Sequence, residues 1–103
     1  MTKQYTNTAQ NEQEDNYVFS LFIAGMSIKS IHAIENLRTI CEKYLSGKFE
    51  IEIIDIHQQG QLASQHGIIA TPTLIKLKPS PKKTVLGDLS DTKKVLKLLD
   101  ITI

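Results

Sequence analysis

The sequence offers few residues able to do covalent chemistry, and its one thiol is Cys41. Disulfide exchange needs a thiolate and a second sulfur to receive the bond, so an intrachain dithiol reaction is excluded. Cys41 falls in step with Ile31, Ile34, Leu37 and Leu45 at three-to-four-residue intervals, and a thiol on such an apolar stripe is expected to pack as a small hydrophobe. The three histidines, His32, His57 and His66, share no metal-ligand spacing with each other or with Cys41. His32 and His66 read as exposed helix residues and His57 as a strand-end residue. Asp55 ends an isoleucine-rich strand, a place where a carboxyl pKa can shift, and a turn or hydrogen-bonding role is expected of it. Ser27 supplies one hydroxyl with no recognisable substrate domain beside it. With no P-loop, glycine-rich dinucleotide motif or carboxylate pair, the sequence predicts no catalytic, cofactor-binding or metal-ligating residue, and no enzyme.

The whole chain sets the frame for these residues. At 103 residues there is material for one core, and no run approaches the roughly 18 to 20 apolar residues that span a bilayer. Residues 1–16 are polar and contain no apolar stretch of the secretory kind, so they are expected to be a disordered tail ahead of a single domain over 17–103. A single cysteine agrees with a reducing, cytoplasmic location. The net charge of +1 argues for neither nucleic acid nor membrane. Its distribution is uneven: residues 1–60 hold five Lys/Arg against eight Asp/Glu, and 61–103 hold seven Lys against three Asp. The basic second half reads as a solvated lysine face or a patch for an acidic protein partner.

The elements follow from periodicity. Tyr17 to Ala24 is an almost unbroken apolar run, as expected of a central strand covered on both faces. Gly25 breaks it, Ser27 or Ser30 can cap a helix, and the stripe through Cys41 carries that helix to Ser46-Gly47. Phe49 to Ile56 alternates Phe49, Ile51 and Ile53 with Glu50 and Glu52 and reads as a second strand, parallel to the first through a right-handed crossover. A short helix is expected within 58–67. Strands at 73–78 and 84–86 flank a proline-containing hairpin loop. Ser90 or Asp91 can cap a last helix, with Val95, Leu96, Leu98 and Leu99 on its buried side.

The order βαβ-α-ββ-α is that of a single α/β, thioredoxin-like domain. Ala70-Thr71-Pro72-Thr73, entering the third strand, resembles the cis-proline motif of that fold. The dithiol of such domains would lie after the first strand, where this sequence has Ala24-Gly25-Met26-Ser27-Ile28-Lys29-Ser30 and no thiol. Together with Leu21-Phe22-Ile23-Ala24-Gly25, Ile54-Asp55-Ile56, Gln61-Leu62-Ala63 and Gly87-Asp88-Leu89-Ser90-Asp91, the proline motif occurs in an order and spacing that resemble the KaiB family over about residues 17–100.

That resemblance implies a non-enzymatic regulator that binds a KaiC-type ATPase, with KaiA or a histidine kinase as further partners, and an output in clock timing, signalling or stress adaptation. It also implies a C-terminal half able to take a second fold and to assemble as a dimer or tetramer. Thr71, Pro72, Gly87, Asp88 and Leu98 are the fold-switch or cis-proline candidates. Gln58, Gly67, Lys82 and Lys83 are the partner-binding candidates. Met26-Ser27-Ile28-Lys29-Ser30 stands where the family usually has Asn-Thr-Pro-Asn-Ser, Gln58 replaces a family lysine, and Ser64-Gln65-His66-Gly67 replaces a charged stretch. Leu98 replaces a glycine, which is about 0.8 to 1.0 kcal/mol worse than alanine inside a helix, so leucine is expected to favour the helical form. Two alternatives remain: a sensory domain like the KaiB-related domain of clock histidine kinases, and a thiol-independent or glutathione-linked enzyme using Ser27.

Overall fold

A computed structural model describes residues 3–6 and 16–101, with side chains for the latter range. Its elements are β1 (Lys3–Thr6), β2 (Tyr17–Ile23), α1 (Ile28–Tyr44), β3 (Phe49–Asp55), α2 (Gly60–Gln65), β4 (Thr73–Lys78), β5 (Lys83–Leu86) and α3 (Thr92–Leu98). The sheet runs in the order β1-β3-β2-β4-β5. Strand β2 pairs parallel with β3 across all seven residues and antiparallel with β4, so its two edges are satisfied by ladder hydrogen bonds.

The apolar run of β2 follows from this central place. Phe19, Leu21 and Ile23 enter one core with Leu37, Ile40 and Cys41 of α1 and Val95, Leu96 and Leu99 at the end of the chain. Phe22 points the other way, into a smaller core with Ile54, Ala63 and Ile75 beneath α2. Alternate side chains of a strand leave by opposite faces, and both faces are covered, so both sets are apolar apart from the small buried Ser20. Helices on both sides of a mixed sheet complete the α/β architecture expected of the sequence.

Three expectations are corrected. The first concerns residues 1–16, expected to be wholly disordered: Lys3 to Thr6 form an edge strand with Lys3 opposite Ile53 and Thr6 opposite Glu50. A polar tetrapeptide has no periodic signature of its own and is ordered here by a ladder on an existing edge; the remainder of the expected tail, apart from Asn16, lies outside the described residues. The second concerns α1, where Ala33 and Ile40 are buried and Ile31 and Ile34 are only half-buried, so its inner face is turned slightly from the expected stripe. The third is Leu98, which is 41% exposed while Val95, Leu96 and Leu99 are buried. At about 100° per residue those three share an arc that leaves Leu98 outside. Leu98 is also the last helical residue, so the interior penalty of glycine applies to it only in part.

Cys41 is fully buried, and that burial, with Glu42 beside it, pushes its thiol up to about 12. The folded state therefore favours the protonated thiol. Its contribution to stability is complete below the unfolded thiol range near 8.5 and is lost as pH rises toward the folded value. At pH 8 an aromatic disulfide reagent should label Cys41 only at the rate of unfolding, and promptly in denaturant; prompt labelling of the native chain would contradict the burial.

Candidate functional site

Four loops gather at one end of the sheet. The strand registers place them there: Ile23 lies opposite Asp55, Phe22 opposite Thr73, and Thr73 opposite Leu86. This end therefore carries the β2–α1 loop, the β3–α2 turn, the approach to β4 and the exit from β5. Val18 opposite Lys78 marks the other end.

Asp55 ties the first two loops together. Its Oδ1 accepts the N–H of Gly25 at 3.1 Å and that of His57 at 2.9 Å, and His57 Nδ1 stands 3.9 Å away. Gly25 turns there with φ +63°, and an added Cβ would meet the His57 ring at 3.6 Å. Two backbone donors on one carboxylate stabilise its charged form, so the N–H of His57 first and that of Gly25 second hold Asp55 below the usual carboxylate range. The hydrogen-bonding role expected for Asp55 is the one it performs. Ser27 caps α1: its Oγ accepts the N–H of Ser30 at 3.2 Å and donates to Ser30 Oγ at 3.0 Å. A hydroxyl engaged in a helix cap is a structural group.

The other two loops are fastened in the same way. The Thr71–Pro72 peptide is cis. Thr73 Oγ1 donates to the Ala70 carbonyl at 2.6 Å, and the Gly87 N–H donates to the Pro72 carbonyl at 3.0 Å. Asn36, on α1, donates through Nδ2 to the Asp88 carbonyl at 2.8 Å. The Ser90 hydroxyl first and its N–H second hold Asp88 low, the N–H lying 3.1 Å from Oδ1. Leu89 takes a left-handed φ of +66° and is nevertheless buried. Such a backbone costs about 1–2 kcal/mol for a side-chain-bearing residue, an amount that burying a leucine, about 1.5–3 kcal/mol, can offset.

On this frame stand exposed apolar side chains: Met26 at 67%, Ile28 at 72%, Ile69 at 91% and Leu86 at 62% exposure. Sequence reasoning missed them as surface residues, and the available signal was that Met26, Ile28 and Leu86 lie beside Gly or Ser instead of within a periodic run. Of the partner-binding candidates, Gln58 is exposed on the β3–α2 turn and Gly67 closes α2, both on the α2 side of the domain. Lys82 in the β4–β5 connection and Lys83 at the start of β5 lie at the opposite end, where Lys83 pairs with Asp100 at 3.6 Å. The structure thus divides the four into two separate groups. Gly67 has a local reason for its identity: φ is +67°, its N–H bonds the Ser64 carbonyl, and the Ile68 N–H bonds that of Ala63, the pattern of a Schellman helix end. Among the described residues no His/Cys/Asp/Glu cluster of three or more could hold a metal, and no helix is long and apolar enough to cross a membrane.

The fold and this loop end define a thioredoxin-like domain whose dithiol position carries no thiol. Mitochondrial thioredoxin 3 of Saccharomyces cerevisiae superposes with a TM-score of 0.67 at 15% identity, over 84% of this chain and 80% of its own. The N-terminal domain of Synechococcus elongatus SasA superposes at 0.70 with 20% identity, over 87% and 89%. Sequence carries the assignment further: the KaiB domain model matches residues 20–101, and the chain belongs to the KaiB family. A circadian clock oscillator protein KaiB of Gloeothece citriformis is 41% identical over 88% of this chain and 86% of its own. Circadian clock protein KaiB3 of Synechocystis is 45% identical over 82% of each.

Two substitutions test the frame. Because Asp55 is held low, its contribution is present above the unfolded carboxyl range near pH 3.9 and is lost as pH falls through the folded value. Asp55→Asn is expected to lower the melting temperature at pH 7 and to flatten its decline below pH 4; unchanged melting curves at both pH values would contradict the role. Gly67→Ala adds a Cβ with no neighbour within 4 Å, so its expected cost is the left-handed backbone alone, about 1–2 kcal/mol by urea unfolding.

Proposed function

We propose that this chain is a non-enzymatic regulatory protein that binds a KaiC-type ATPase and thereby modulates a clock, signalling or stress-adaptation output. One observation carries the reading: the loop end presents Met26, Ile28 and Ile69 to solvent on a frame fixed by Asp55, Asn36 and Gly87. Apolar side chains that stay in water in the free chain gain most when a protein partner covers them. The KaiB relatives, clock proteins by name that match most of the chain, support the regulatory reading, and the ATPase as partner is what the family resemblance implies.

Chemistry at the same place is poorly served. Ser27 is engaged as a cap and Cys41 is sealed in the core, which speaks against the enzyme alternative. The likeness to the SasA domain is one of fold at 20% identity, so the sensory-domain alternative has no observation of its own. The second fold proposed for the C-terminal half would have to unwind α3 (Thr92–Leu98). Leu98 weighs against that by less than an interior residue would, because it ends the helix.

Co-elution with a purified KaiC-type ATPase, in ATP and in ADP, is the test. A shared peak is expected in at least one nucleotide state, and Ile69→Asp is expected to weaken binding tenfold or more with its melting temperature unchanged. No complex in either nucleotide would overturn the reading.

A further inference from the structure

Residues 56–75 contain no Lys, Arg, Asp or Glu. The other 83 residues hold all 23 of them, so a run of 20 residues with none stands apart from the rest of the chain. It makes up the β3–α2 turn, α2, the loop that follows and the first half of β4. Part of that absence has an ordinary reason. Thr73, Leu74 and Ile75 are buried in the sheet, and Ala63 lies in the smaller core with Leu62 and Ile68 packed against it. A charge at those places would lose its hydration and find no partner.

The remainder faces water. His57, Gln58, Gln61, Ser64 and Gln65 are exposed, and Ile69 beyond them is 91% exposed. Burial gives no reason for the lack of charge at these positions, and solubility favours charge, since about a quarter to a third of a small domain's surface is ordinarily Lys, Arg, Asp and Glu. Gln58, Gln59, Gly60, Gln61, Leu62 and Gln65 line a cleft of about 300 Å³. The polar side-chain groups around it are carboxamides, each a donor and an acceptor and none of them charged.

Protein interfaces deplete charged side chains from the part that loses water completely, because a charge covered there without an opposite one forfeits its hydration. An amide forfeits less and can bond a main chain or another amide. Ile69 belongs both to this segment and to the exposed apolar set of the loop end, so the two surfaces adjoin and take the same occupant. The basic character of the second half lies elsewhere: its seven lysines all fall at residue 76 or later.

We propose that the α2 side extends the partner-binding surface, and that the patch of the partner it meets is itself uncharged, built of apolar side chains, amides and exposed main chain. A carboxylate or ammonium on that patch would find no opposite charge among Lys, Arg, Asp or Glu within residues 56–75. This inference rests on the reading of the chain as a regulator that binds a KaiC-type ATPase, and it names the chemistry by which one part of that partner is recognised.

The test uses the full-length chain with the purified KaiC-type ATPase, in the nucleotide state that gives a complex, and four substitutions at exposed positions: Gln61→Lys, Gln61→Glu, Gln65→Lys and Gln65→Glu. By biolayer interferometry at pH 8, each is expected to weaken binding about fivefold or more whichever charge it introduces. The factor should be the same at 0.05 and 0.5 M NaCl, with melting temperatures unchanged. A charged patch on the partner would instead bind one sign more tightly and the other more weakly, and that result would overturn the proposal. So would native affinity in all four variants while Ile69→Asp still weakens binding, which would leave the loop-end contact standing without α2. Self-association of the native chain in sedimentation, lost in the same four variants, would assign the patch to a second copy and overturn it too. If the native chain forms no complex in ATP or in ADP, the regulatory reading falls and this inference falls with it.

Discussion

Everything in this domain depends on burying β2 on both faces. A strand whose two faces are apolar has no solvent-tolerant side, so helices must cover both. The crossover α1 lies on one face with α3, and α2 lies on the other. Once β2 is central and parallel to β3, the ends of those two strands, the start of β4 and the end of β5 meet at one end of the sheet. The loop frame is thus a consequence of how β2 is buried. Asp55, Asn36 and Gly87 then fix loops that topology has already gathered.

The frame invests its polar groups in structure. The Asp55 carboxylate accepts two backbone N–H groups, Ser27 caps a helix, and the Gly87 N–H closes on the Pro72 carbonyl. In a thioredoxin-like redox site the corresponding end presents a reactive thiol. Here it presents Met26, Ile28 and Ile69. Fixed apolar side chains reduce the entropy lost on association, which suits a recognition surface better than a reaction centre.

How much of this was legible in the sequence depended on whether a signal was local. β2 and β3 were readable because an unbroken apolar run and a clean alternation each have one structural meaning. Asp55 and the glycine turns were readable because side chains at strand ends and left-handed positions have few alternatives. β1 was not, since four polar residues pair only where a ladder already exists. Leu98 was misplaced because four apolar residues within five positions look like one face until the helix phase is set by Val95, Leu96 and Leu99. The solvent-facing Ile69 was missed for the opposite reason: composition marks isoleucine as core, and only the tertiary path of its loop turns it outward.

The loop end is proposed as the surface this chain gives to a protein partner. Hydrogen–deuterium exchange of the chain alone and with a KaiC-type ATPase measures this most directly. Slowed exchange in residues 24–28, 69–72 and 86–91 is expected on complex formation. Protection confined to the Lys78–Lys83 end, with those loops unchanged, would contradict it.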